Sequence, residues 1–200
     1  SNATYYDKDG VLRKSSYNYL TNSNTNVEFS NGAAPNTWTS GEVAPDGSAT
    51  AKICTTNNRS FIDYIATGTA NNPITYSVYL KATSSISRQL QLKSLNSDVV
   101  ITDIPSINIT TEWQRFVITG TSTTDGARIE ILGGIQNISA WGAQLEKGPY
   151  AGPYVKTEGS AASTARTNAY LPDGSGNFVS AGELLLEDAG TNLVLYSEDV

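Results

Sequence analysis

Apolar and polar positions alternate with a period of two along much of the chain, the signature of strands with one buried and one solvated face. In Ile74-Thr75-Tyr76-Ser77-Val78-Tyr79-Leu80-Lys81, Tyr76, Val78 and Leu80 share one face and Thr75, Ser77, Tyr79 and Lys81 the other. Gln89-Leu90-Gln91-Leu92-Lys93 turns Leu90 and Leu92 inward, and Trp113-Gln114-Arg115-Phe116-Val117-Ile118-Thr119 pairs Phe116 with Ile118. Ala127, Ile129 and Ile131 fall together in the next run, and the period places Trp141, Ala143 and Leu145 on one face of the last. Asp46-Gly47 and Asp125-Gly126 punctuate the runs as turns. No window of a dozen residues carries a helical period. The pattern predicts an all-β chain: a two-sheet antiparallel β-sandwich, with a jelly roll as the expected topology. Its predicted core is Tyr76, Val78, Leu80, Leu90, Leu92, Phe116, Ile118, Ile129, Ile131, Trp141 and Leu145.

Composition narrows the chemistry. The 200 residues are 38% hydrophobic, enough to bury a core, but only 16% charged, against roughly 25% in an average domain. Ser, Thr and Asn supply the missing polarity, which suits strands and turns. With no His and a single Cys, Cys54, the chain cannot build Ser-His-Asp or Cys-His catalysis, a His-ligated metal or an internal disulfide. Cys54, in Ala51-Lys52-Ile53-Cys54, reads as a small buried hydrophobe. A net charge of -6 argues against a nucleic-acid partner. No apolar run approaches the ~20 residues of a membrane-spanning helix, so no membrane insertion is expected. Nineteen carboxylates leave an acid/base pair formally available, but none stands in a recognisable catalytic setting, and a non-enzyme is expected.

The ends read as connectors. Ser1-Asn2-Ala3 resembles the remnant of a cleaved purification tag. Tyr5-Tyr6-Asp7-Lys8-Asp9-Gly10-Val11-Leu12 carries a hairpin signal, and Tyr170-Leu171-Pro172-Asp173-Gly174-Ser175-Gly176-Asn177-Phe178-Val179 repeats it with a longer turn. Asn18-Tyr19-Leu20-Thr21-Asn22-Ser23 is echoed by Asn192-Leu193-Val194-Leu195-Tyr196-Ser197. The expected organisation is therefore a connector hairpin over 4–16, a sandwich over 17–158, and from 159 onward a linker and the start of a next repeat. The small residues Gly159 to Thr164 make that linker, and Leu184-Leu185-Leu186 is expected to pair with the N-terminal hairpin or a neighbouring chain. The chain is expected to be an internal piece of a larger protein.

Three segments in order carry a family resemblance: Tyr76-Ser77-Val78-Tyr79-Leu80-Lys81-Ala82; Glu112-Trp113-Gln114-Arg115-Phe116 followed by Thr119-Gly120-Thr121; and Ile138-Ser139-Ala140-Trp141-Gly142-Ala143-Gln144-Leu145-Glu146-Lys147-Gly148, with Ala151 and Tyr154 trailing. They resemble carbohydrate-binding-module-like jelly rolls, a galactose-binding-domain-like fold, of bacteriophage tail and appendage proteins and of bacterial glycan-degrading enzymes. Glu183-Leu184-Leu185-Leu186-Glu187 and Thr191 to Asp199 are similar to segments that precede such modules in phage virion proteins. The resemblance implies a noncatalytic module that binds a host-surface polysaccharide. It also implies a place on a virion, among other virion proteins, or alternatively in a secreted or cell-surface protein. The rival readings are a spacer or assembly sandwich without ligand and an accessory domain of a glycoside hydrolase. Related modules often hold a structural calcium through an acidic residue just after an N-terminal Phe. Here Phe29 is followed by Ser30 and preceded by Glu28, and the partner position falls near the neutral Gln144. Six to eight oxygens are needed, and this set falls short, so no cofactor is expected.

Sugar recognition asks for aromatic faces and for planar polar groups that meet hydroxyls. Outward positions of the predicted strands offer Tyr79, Lys81, Gln91, Arg115, Arg128 and Gln144 as such groups. Tyr64, in Phe61-Ile62-Asp63-Tyr64-Ile65, and Trp38, in Asn36-Thr37-Trp38, join them as candidate glycan-binding residues.

Overall fold

The computed structural model describes residues 4–14, 16–24, 27–29, 35–58, 60–95, 99–163 and 170–180. Its strands are β1 (Thr4–Tyr6), β2 (Leu12–Lys14), β3 (Tyr17–Asn18), β4 (Trp38–Glu42), β5 (Ala51–Cys54), β6 (Ser60–Tyr64), β7 (Pro73–Ala82) and β8 (Ile86–Ser94). β9 (Val100–Ile109), β10 (Gln114–Thr121), β11 (Ala127–Leu132), β12 (Ile138–Lys147), β13 (Ala162–Ser163), β14 (Tyr170–Pro172) and β15 (Phe178–Ser180) follow. No described residue is helical. The chain divides into two compact units, one of residues 17–162 and one of residues 1–16 with 163–200.

The larger unit is a two-sheet antiparallel sandwich. One sheet has the order β10-β7-β12-β5-β4 and the other β6-β11-β8-β9. From β5 onward the chain crosses between the sheets at every step but the β8–β9 hairpin, which is the jelly-roll habit. The inner faces meet in a core of Tyr76, Val78, Leu80, Leu90, Leu92, Ile118, Ile129, Ile131 and Leu145, with Phe116 packed half-buried against it. Long strands of this kind hold their register because a one-residue slip would turn every one of these side chains to water. Cys54 is also fully buried there, and burial pushes its thiol pKa up.

Trp141 departs from the expected pattern. It is buried, but on the opposite face of its sheet, with Ala44 and Ala51 and against Tyr79, Trp113 and Tyr154. The cause is a β-bulge: Trp141 faces Tyr79 and Gln144 faces Ser77, so Gly142 and Ala143 together oppose Val78. Gly142 takes the left-handed conformation that this requires, φ 64°. One extra residue sends Trp141 outward while Ala140, Ala143 and Leu145 all stay in the core.

The smaller unit contains a four-stranded sheet in the order β15-β14-β1-β2. Its strands are three residues long, and Tyr6 of β1 faces Tyr170 of β14. The expected pairing of Leu184-Leu185-Leu186 lies outside the described residues.

Candidate functional site

The outer face of the five-stranded sheet is covered. After β12 the chain returns across it, and polar side chains of the sheet hold the returning segment. Gln144, fully buried, donates through Nε2 to the Pro153 carbonyl (3.0 Å) and accepts the Val155 N–H on Oε1 (2.7 Å). Glu146 accepts from Gln144 and from the Gly152 N–H at 2.8 and 2.9 Å. Arg115 donates to the Gly152 carbonyl (2.6 Å) and to Ser77 Oγ (2.8 Å) while its guanidinium lies 5.7 Å from the Tyr79 ring centre. Tyr79 meets Trp141 edge-on at 5.5 Å and Tyr154 at 6.4 Å. The Tyr154 hydroxyl lies 2.6 Å from Ser23 Oγ, and burial pushes its pKa up to about 12. Asn18 locks the cover from β3: its amide donates to the carbonyls of Ala143 and Val155, and its oxygen accepts from the N–H groups of Leu20 and Leu145.

The outer face of the four-stranded sheet is arranged differently. Register puts Asp63, Arg128 and Lys93 in one row across β6, β11 and β8, and Phe61, Glu130, Gln91 and Asp103 in the next, which extends to β9. The polar groups pair sideways along the sheet. Arg128 binds Asp63 with two parallel N–H···O bonds of 2.7 and 2.8 Å and lies 4.2 Å above the Phe61 ring centre. Lys93 and Glu130, both buried, form an ion pair of 2.5 Å. Gln89 donates to Asp103 at 2.8 Å. Gln91, buried like its neighbours Glu130 and Lys93, stands between Glu130 and Asp103 and makes no side-chain hydrogen bond among the described residues. Beside Glu130 the face opens into a hollow of about 390 Å³, walled by Asn57, Asn58 and the chain from Glu130 to Gly134. Gly134 in this wall takes the left-handed conformation, φ 87°, that favours glycine.

The eight sequence candidates scatter over three places. Tyr64 is in the core, stacked on Tyr76 at 5.4 Å, with its phenol pKa driven well above the ordinary value by burial. Trp38 packs half-buried against the same core and donates its indole N–H to the Phe29 carbonyl. Tyr79, Lys81, Arg115 and Gln144 share the covered face, where Lys81 pairs with Glu42 at 3.1 Å and lies over the Trp113 ring. Gln91 and Arg128 alone reach the face with the hollow. In Phe61-Ile62-Asp63-Tyr64 the alternation runs opposite to the aromatic choice made from sequence, so Phe61 and Asp63 point outward and Tyr64 inward. Asn57, Asn58 and Glu130 had no signal of their own, since their roles come from a loop and a cross-strand row. Glu28 is paired with Lys52, and Gln144 holds the return segment.

No protein-family model matches the chain, and no curated protein does. Solved structures are similar in fold. The carbohydrate-binding module of Cellvibrio mixtus lichenase 5A, in complex with cellotriose, is 10% identical over 66% of this chain and 98% of that one, with a TM-score of 0.46. The CBM22-1 and GH10 modules of Clostridium thermocellum xylanase 10B, complexed with xylohexaose, are 10% identical over 70% of this chain and 30% of that one (TM-score 0.49). The enzymatically active domain of bacteriophage CBA120 tailspike protein 4 is 12% identical over 65% of this chain and 21% of that one (TM-score 0.46).

Proposed function

We propose that this chain is a noncatalytic glycan-binding module that takes a polysaccharide on the outer face of its four-stranded sheet. The observation that carries the reading is Gln91. Gln91 is only 9% exposed, its amide makes no hydrogen bond among the described residues, and it sits beside Glu130, which walls the hollow at Asn57 and Asn58. Pre-paired groups lose little freedom on binding, so they can meet hydroxyls without a large ordering cost. Asp63 and Asp103 are engaged by Arg128 and Gln89, and Glu130 is buried against Lys93, which does not suit the proton transfers of glycoside cleavage. The chain's charge of -6 favours a neutral polysaccharide over an anionic one. With each net hydrogen bond contributing about 0.5–1.5 kcal/mol, affinity should lie in the micromolar to millimolar range.

The module's setting in this proposal is a phage tail or appendage protein on the virion, beside other virion proteins. Its support is the sequence likeness of the segments after residue 182 to those preceding such modules in virion proteins. A glycan array followed by calorimetric titration tests the binding. Saturable binding of a neutral polysaccharide that Gln91→Ala weakens is the expected result. No binding to any glycan at millimolar concentration would leave the sandwich as a spacer.

A further inference from the structure

The hairpins β1–β2 and β14–β15 are two copies of one element. Asp7 and Asp173 open their turns 166 residues apart, and the two carboxylates do the same work. Oδ1 of Asp7 accepts the N–H groups two and four residues on, from Asp9 (3.0 Å) and Val11 (2.9 Å). Oδ1 of Asp173 accepts those of Ser175 (2.8 Å) and Asn177 (3.1 Å). Each aspartate N–H donates to the carbonyl four residues on, at 3.0 Å in both hairpins, so the second turn is equal in length to the first and not longer as the sequence suggests; Gly10 and its counterpart Gly176 both have positive φ.

The copies also bind each other. Tyr6 faces Tyr170, and Tyr170 is the counterpart of Thr4. The two hairpins therefore meet through the edges of their first strands, the arrangement that an isologous interface between two equal partners would use. All four strands belong to the smaller unit. Three-residue strands make a small sheet, and Leu12, Leu171 and Val179 stay 57%, 48% and 49% exposed in it.

We propose that the aspartate-turn hairpin is a self-recognising coupling element whose fitting partner is another copy of itself, so that two copies of this chain join by exchanging hairpins across the β1–β14 edge. Exchange of identical elements needs no new contact, only the same pairing made between chains. In a chain with successive modules the same element would couple each sandwich to the next, and the echo of Asn18 to Ser23 at Asn192 to Ser197 places a second copy of the following segment after the second hairpin.

The test uses the full chain in three forms: Tyr6→Cys, Tyr170→Cys, and the double variant. Cys54 is fully buried and stays out of reach of a short bis-maleimide added after folding. The double variant should crosslink within the monomer, which verifies that the hairpins meet. An equal mixture of the two single variants, unfolded and refolded together at high concentration, should yield crosslinked heterodimers, since a single-cysteine chain has no facing cysteine of its own. Crosslinking of the double variant without any heterodimer from the mixture would overturn the proposal, and so would a double variant that does not crosslink at all. Sedimentation velocity of the unsubstituted chain after the same refolding guards against misfolded variants. It should show a dimer that grows with concentration, and a monomer alone would overturn the proposal.

Discussion

The outer faces of the two sheets start from the same alternation and end in opposite conditions. On the five-stranded sheet the outward polar groups reach up to a returning chain, and Gln144, Glu146 and Arg115 satisfy its backbone. On the four-stranded sheet the outward groups reach sideways to one another, and the buried Gln91 makes no side-chain hydrogen bond among the described residues. A polar residue facing out of a strand is thus equally able to close a surface or to present one. What decides is whether another stretch of chain lies within hydrogen-bonding distance, a property of the tertiary path that alternation does not contain.

Breaking the lock of the covered face should have the largest effect. Asn18→Ala removes four hydrogen bonds at a fully buried site and strands their backbone partners. A loss of about 3–5 kcal/mol in urea-induced unfolding is expected. A loss below about 1 kcal/mol would show that the return segment is not held from β3. Tyr79→Ala comes next, at about 2–3 kcal/mol, because the ring is wedged between Trp141 and Tyr154. Calorimetric titration of the same variant should find glycan affinity unchanged, and a lost affinity would move the ligand to the covered face. Gln91→Ala should do the reverse. Affinity should fall about tenfold, roughly 1.4 kcal/mol, with stability within about 0.5 kcal/mol of the parent.

The smallest effect is expected from the Tyr154 hydroxyl. Its pKa is raised to about 12 by burial, so its contribution is fully present below the ordinary value of 10 and is lost as pH rises toward 12. Tyr154→Phe should cost about 1 kcal/mol at neutral pH, from the bond to Ser23, and should flatten the stability loss between pH 10 and 12. An unchanged alkaline profile, followed by circular dichroism, would mean that the ring is exposed to water and the cover is loose.

The inner faces were legible from the sequence wherever a strand ran without interruption. Val78 and Leu80, Leu90 and Leu92, and Ile129 and Ile131 all lie in the core, because burial of one face fixes the register of the whole strand. Trp141 was misplaced because a bulge changes parity without changing composition. Tyr64 was misplaced because Phe61 and Tyr64 lie on opposite faces of the same strand, and sequence offers no reason to choose between two aromatics. Glu130 was overlooked for another reason: a lone carboxylate acquires meaning only from Lys93 and Gln91, which stand beside it on β8.

The bulge at Gly142 gives β12 two reading frames. Before it, even-numbered residues such as Ile138 and Ala140 face the core; after it, the odd-numbered Ala143 and Leu145 do. The strand thus carries two messages end to end, one writing Trp141 into the aromatic cover and the other writing Gln144 and Glu146 into the clamp on the returning chain. A comparison of sequences that slides one strand over another without a gap will match only half of it. The frame shift, encoded by a single glycine, is what lets one strand serve as core, cover and clamp at once.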